Sequence, residues 1–236
     1  MINEWKTVYT VLTRKVWKAM SVRIRYDREL KGIMDGIVLM CRHIEIAIEK
    51  CVKSLTERNP DLAEEVRRED DLIDKIERDI EQACLKLLLT ENPVASDFRE
   101  ISAALKMITD LERIGDQARD IAEIAIQFGE EEYIDKLVHI PKMAIIVIQM
   151  VKDGVQAYIN RDLELARSLD VVDDKVDDLY KIIMAESVAL IKKKPDYAEQ
   201  VILFMQITKY LERIGDHAVN IGEWVEYAIT GNHPKN

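Results

Sequence analysis

The segment Leu111-Glu112-Arg113-Ile114-Gly115-Asp116 returns letter for letter as Leu211-Glu212-Arg213-Ile214-Gly215-Asp216. Six identical residues, a glycine among them, are not expected to recur by accident in a chain of 236 residues. The chain therefore reads as a duplicated unit, and any fold it adopts has to be built twice. The duplication extends beyond the hexamer. Leu62-Ala63 pairs with Leu165-Ala166, and at the same offset Asp70-Asp71-Leu72-Ile73-Asp74 pairs with Asp173-Asp174-Lys175-Val176-Asp177.

The unit is helical. Aliphatic residues, Glu, Lys and Arg dominate, while the chain holds only 8 Gly and 5 Pro, a composition that favours long helices over sheets. Leu30, Ile33, Ile37, Met40, Ile44 and Ile48 keep helical spacing and predict a first helix over about 26–54. Asn59-Pro60-Asp61 breaks it and starts a second helix reaching about Leu89, since Pro suits a first helical turn. Asn92-Pro93 stops the second, and Ser96-Asp97 followed by Glu100 offers a cap for a third, which runs to about Phe128.

Gly129 to about Lys136 is a polar connector. Helical spacing resumes near Pro141 and runs to about Ile159, then from a turn at Asn160-Arg161-Asp162 to about Lys193. A last helix opens at Pro195-Asp196 and ends before Gly231. Connectors this short join antiparallel neighbours. The expected architecture is all-α: two pseudo-symmetric three-helix bundles side by side, over 25–130 and 131–236, preceded by an arm over 1–24. In the arm, Trp5, Val8, Tyr9, Leu12 and Val16 recur at helical spacing beside Lys6, Arg14, Lys15 and Lys18. A surface-docking helix and a plain extra helix or arm both fit that pattern.

The net charge of −10 excludes a backbone-driven nucleic-acid binder, which needs a dense basic face. It suits a protein that collects cations or docks on basic partners. Cys41, Cys51 and Cys84 are odd in number and lack Cys-x-x-Cys spacing, so they read as reduced, mostly buried thiols. With no apolar run of membrane-spanning length and no signal-peptide pattern at the start, the expected location is the cytoplasm.

At about 100° per residue, Glu112, Asp116, Asp120 and Glu123 form one stripe of the third helix, largely opposite the apolar stripe of Leu111, Ile114, Ala118, Ile121 and Ala125. On the second helix Asp70, Asp74 and Glu77 cluster likewise. If the two helices are neighbours, both stripes border one groove. The second copy offers Asp173 and Asp177 opposite Glu212, Asp216 and Glu223, with Asn220 in place of Asp120 and Tyr180 in place of Glu77. Carboxylates so crowded repel one another unless protons or cations intervene. An all-oxygen site suits Mg²⁺, Mn²⁺, Ca²⁺ or ferric iron, singly or as a small cluster, whereas zinc prefers His or Cys. The plainer alternative is a pair of solvated helix faces softened by pairs such as Asp110 with Arg113. Mid-helix Gly115 and Gly215 weigh against it, because glycine there costs about 1 kcal/mol relative to Ala.

Catalytic constellations are missing. There is no Glu-x-x-His of the di-iron kind, no Walker loop, no Gly-x-Ser-x-Gly elbow and no dinucleotide fingerprint. His217 follows Asp216, but Gln117 stands at the matching place in the first copy, so it reads as a polar helix residue. An acidic bundle could still store metal or hydrolyse phosphoesters with it, and that is the alternative from another class.

Taken together, Pro93-Val94-Ala95-Ser96-Asp97-Phe98-Arg99, the two Leu-Glu-Arg-Ile-Gly-Asp segments and the Asp-Asp-x-Ile/Val-Asp segments resemble the PhoU family of bacterial and archaeal phosphate-uptake regulators. The resemblance covers about 26–229. It implies two three-helix bundles, with metal held by Asp70, Asp74, Glu112 and Asp116 in one copy, a set that Asp120 joins by helical spacing, and by Asp173, Asp177, Glu212 and Asp216 in the other. It further implies a non-enzymatic negative regulator of phosphate uptake. The implied partners are the ATPase subunit of the phosphate ABC transporter and a phosphate-sensing histidine kinase, through which alone it would meet the membrane. A homodimer is the expected assembly. The two replacements, Asn220 and Tyr180, leave the second copy with fewer acids.

Overall fold

A computed structural model describes the backbone of residues 2–91, 93–129 and 139–233, and side chains from Arg23 onward within those ranges. The expected apolar stripe around Trp5 and Leu12, and the connector expected after Gly129, fall outside the described side chains and residues. Among the described residues there are six α-helices and no strand. They are α1 (Ile2–Glu57), α2 (Pro60–Thr90), α3 (Ala95–Phe128), α4 (His139–Asn160), α5 (Leu163–Lys193) and α6 (Ala198–Thr230), with a single 3-10 turn at Pro195–Tyr197 before the last. No helix among the described residues is long and apolar enough to cross a membrane.

The first helix is longer than its core-facing pattern. Its backbone passes through 24 and 25 without a break, so the arm expected over 1–24 and the first helix of the bundle are one rod. The breaks after it are where the sequence puts them. Arg58 and Arg161 occupy the same place in the two copies and both take positive φ, 54° and 55°, which reverses the chain at a cost of about 1–2 kcal/mol for a non-glycine residue. The next residue caps the following helix in each case: Asn59 accepts from the Asp61 N–H and Asp162 from the Leu165 N–H. At α3 the cap differs from expectation. The helix begins at Ala95, and Asp97 reaches back to accept from the Val94 N–H at 3.3 Å, a backward bond of the capping-box kind.

Each copy closes around its own apolar stripes. Ile37, Met40, Ile44 and Ile48 of α1 are fully buried, as are Met107, Leu111 and Ile114 of α3 and Ile207, Leu211 and Ile214 of α6. Each such side chain contributes about 1.5–3 kcal/mol by leaving water. The bundle α1–α2–α3 lies beside α4–α5–α6, with α1 against α4 and α3 against α6 along the seam. The outer helices α2 and α5 each pack only within their own bundle. On the seam α3 and α6 run antiparallel: Phe128 near the end of α3 stacks on Phe204 near the start of α6, 4.8 Å between centroids, and Arg99 at the start of α3 lies against Gly231. A pseudo-two-fold axis therefore crosses the middle of these helices, placing one α2/α3 groove and one α5/α6 groove on the molecule.

Candidate metal centre

Hydrogen bonds fix where the acids can lie. On the seam, Asp110 of α3 accepts from Asn220 Nδ2 and Trp224 Nε1 of α6, at 3.2 Å each, and sits 2.9 Å from His217 Nδ1. Across the axis, burial and then the nearby negative charge of Asp120 raise the Tyr210 hydroxyl above its ordinary pKa. These contacts hold one flank of α3 and α6 against each other, and the hexamer acids fall on the other flank, facing α2 and α5. The softening pair expected between Asp110 and Arg113 does not form. Arg113 turns instead to Asp116, 3.2 Å away, and Glu112, 3.5 Å away, because Asp110 is committed to α6.

In the first copy the acids of the two helices do meet. Asp70 of α2 and Asp116 of α3 are largely shielded, and between them stands Arg119, one turn on from Asp116. Its Nη1 donates to Asp70 Oδ2 at 2.8 Å and lies 2.8 Å from Asp116 Oδ1, while its Nη2 is 3.5 Å from Asp120 Oδ1. Asp74 pairs outward with Arg78 at 3.6 Å. Burial raises the Asp70 carboxyl above its ordinary pKa, and the Arg119 guanidinium pulls it back. Burial, with Asp116 next to it, likewise raises Glu112. Behind Asp70 a small hollow is lined by His43, Glu69 and Gly115.

The second copy has the same helices and no such bridge. Val219 stands where Arg119 would be. Burial is the largest influence on Asp173, followed by the negative charges of Asp216, Asp177 and Glu212, and its carboxyl is pushed up to about 6. Asp216 is raised as well, by burial and then by Glu212. No ion pair joins a cation to Asp173 or Asp216 among the described residues. Lys209 pairs with Glu212 on its own helix, and Lys181 lies 3.7 Å from Asp177 on the outer side of α5. Gly215 makes the approach possible, since a Cβ there would stand 2.6 Å from Asp173 Oδ1. The repeated glycine thus has different work in each copy: Gly115 faces Ile73, 3.2 Å from its would-be Cβ.

Asp70, Asp116 and Asp120 are brought together around Arg119, with Glu112 and Asp74 on the margin. Of Asp173, Asp177, Glu212 and Asp216, the outer pair Asp177 and Glu212 have lysine partners on their own helices, while Asp173 and Asp216 form no ion pair among the described residues. The exchange of Asp120 for Asn220 touches both the groove and the seam: Asp120 lies 3.5 Å from Arg119, whereas Asn220 donates across the seam to Asp110. The sequence reading passed over Arg119. Its signal was available in the comparison of the copies, where Arg119-Asp120 faces Val219-Asn220, a charge pair present in one repeat and absent from the other.

Among the described residues no three His, Cys, Asp or Glu side chains are drawn closely enough together to hold an ion as they stand. The second groove nevertheless suits a hard cation. Its donors are carboxylate oxygens on two helices, they repel each other in partial burial, and Asp173 rests on bare backbone at Gly215. The first groove does not suit one in this arrangement, because a guanidinium already stands between its acids.

A PhoU-domain family model matches residues 37–125 and 140–225, one segment in each copy. A phosphate-specific transport system accessory protein PhoU homolog from Clostridium acetobutylicum is 34% identical over 207 residues, which span 87% of this chain and 94% of that protein. The crystal structure of PhoU from Pseudomonas aeruginosa superposes with a TM-score of 0.83 at 34% identity, covering 88% of this chain and all of that one. At 24% identity, the phosphate transport system regulatory protein PhoU from Streptococcus pneumoniae shares the fold with a TM-score of 0.81 over 89% of this chain. With the matching halves falling on the two three-helix bundles, this chain belongs to the PhoU family.

Proposed function

We propose that the chain is a cytoplasmic, non-enzymatic regulator that lowers phosphate uptake and the phosphate-starvation response when phosphate suffices, and that it carries a hard metal ion in its second acidic groove. Its partners on this reading are the ATPase of a phosphate ABC transporter and the sensor kinase that reports phosphate supply, which it meets as a homodimer. Family membership supports the regulatory part: the relatives are named accessory or regulatory proteins of phosphate transport. The observation that supports the metal is the group Asp173, Asp177, Glu212 and Asp216 on α5 and α6, in which Asp173 and Asp216 form no ion pair among the described residues and Asp173 is raised by the charges of the other three. A bound ion would relieve their mutual repulsion and leave outward coordination positions for a phosphate or a partner carboxylate. Asp173 and Glu212 would hold it from opposite helices, with Asp216 below.

Deleting the gene is expected to leave starvation-induced genes switched on in phosphate-rich medium. The wild-type gene should restore repression, and the Asp173→Asn/Asp216→Asn variant should fail to do so while folding normally. Normal repression in the deletion strain would remove the regulatory reading. Unchanged metal content of the purified double variant, by elemental analysis, would remove the metal.

A further inference from the structure

The two grooves are built on identical hexamers yet differ in what lies between their acids. In the first copy three carboxylates surround one guanidinium, two of them at 2.8 Å from the same nitrogen. That is the distance of a full charge-assisted hydrogen bond. The guanidinium is attached to α3 one turn from Asp116, so it competes with any free ion as an intramolecular ligand, at high effective concentration. It also stays charged at every pH the protein meets. The exchange between copies is balanced. Where the first has Arg119 and Asp120, the second has Val219 and Asn220, so one positive and one negative charge have been added together. Lys209, the cation beside the second groove, pairs with Glu212 three residues away on its own helix and lies over the Tyr180 ring of α5, 5.5 Å from its centroid, without forming an ion pair with Asp173 or Asp216.

We propose that Arg119 is a tethered counter-ion occupying the cation position of the first groove, so that this chain takes metal in its second copy and keeps the first closed. The inference rests on the metal reading above and narrows it. The duplicated fold then carries one exchangeable ion and one built-in cation, and the built-in one ties α2 to α3 whatever the metal supply.

The test counts bound Mn²⁺ on the full chain, using loss of the free ion's electron paramagnetic resonance signal. Wild type is expected to show one class of sites, abolished by Asp173→Asn/Asp216→Asn. Arg119→Val, which copies the second repeat, should add a second class that disappears when Asp70→Asn is combined with it. Arg119→Gln should do the same and guards against a packing defect at valine. Affinity at the first groove should rise about tenfold or more on losing the fixed charge. If wild type fills both grooves, and the Arg119 variants bind no more tightly than it does, the closed-groove inference is overturned and the metal reading stands. If no variant binds Mn²⁺, both fall. If metal in the wild type survives Asp173→Asn/Asp216→Asn and is lost with Asp70→Asn, the assignment of copies is reversed and the inference is overturned.

Discussion

The α2/α3 groove and the α5/α6 groove descend from one design, and their differences sort into two kinds. One is electrostatic: Arg119 settles three carboxylates in the first, while Asp173 in the second is surrounded by like charges. The other is steric. The first copy has Ala122 where the second has Gly222, and a Cβ at Gly222 would stand 2.7 Å from the Ala166 backbone oxygen. Helices α5 and α6 therefore come closer at that level than α2 and α3 need to. Both helix pairs are tied across by a salt bridge, Arg167 to Glu226 at 2.6 Å beside the backbone contact of α5 and α6 and Arg119 to Asp70 at 2.8 Å between α2 and α3, but only the second of these falls among the hexamer acids. The comparison teaches that a repeated motif specifies the frame, and the residues a turn away decide what the frame holds.

The largest expected effect tests the steric half. Gly222→Ala puts a methyl group into a backbone oxygen that cannot move aside without shifting a whole helix, so it should destabilise the protein by about 3 kcal/mol. Ala122→Gly in the first copy removes a buried methyl and loosens the helix, costing about 1–2 kcal/mol. Chemical denaturation of both variants decides the matter. Equal losses would mean that the two helix pairs approach alike, and the steric half of the comparison would be lost.

Much of this was legible beforehand. The hexamer, the apolar stripes and the turn residues Asn59 and Asp162 located the helices and the duplication, because each of those signals acts within a few residues of itself. The acids were likewise found on the right helices. What stayed hidden depends on the partner across a gap. Asp110 reads as the neighbour of Arg113 along one helix, yet it binds His217, Asn220 and Trp224 on another. Arg119 reads as an ordinary exposed charge until α2 supplies Asp70 opposite it. Helical spacing groups Asp120 with the other acids, and it does lie beside Arg119, but spacing gives no sign that its charge also reaches Tyr210 across the seam. Periodicity reports which face a residue shares; it carries no information about which helix comes to that face.

A smaller pair of substitutions separates the two roles of the repeated glycine. Gly215→Ala should displace Asp173, whose carboxylate is the far end of a short side chain and can rotate away. Stability should then change by less than about 1 kcal/mol, since alanine also favours the helix, while Mn²⁺ affinity of the second groove drops several-fold. Gly115→Ala meets Ile73, which is buried and branched, with two side-chain atoms within 3.3 Å. Its cost should be about 1–2 kcal/mol in stability. Melting curves and metal titration run on the same samples would show whether the two readouts part as expected. A Gly215→Ala protein with intact metal affinity would mean that Asp173 needs no access to the α6 backbone.

The smallest expected effect isolates the electrostatic half in the metal-free protein. Asp173 holds its proton more tightly in the fold than in the unfolded chain, with a folded pKa of about 6. Its contribution to stability is therefore full below the ordinary carboxylate range and is lost as pH rises through about 6. In chelator, Asp173→Asn should raise stability at pH 7 by about 1 kcal/mol after allowance for solvent screening, or roughly 2–4 °C in melting temperature. It should also flatten the fall between pH 4 and 7. Asp70→Asn should leave melting near the wild-type value, because burial and the Arg119 bond pull the Asp70 carboxyl in opposite directions. Adding Mn²⁺ should reverse the ranking, since the wild type then gains a ligand that Asp173→Asn has lost. Were both variants to shift stability equally and in the same sense, the two grooves would be electrostatically alike, and Arg119 could not be what distinguishes them.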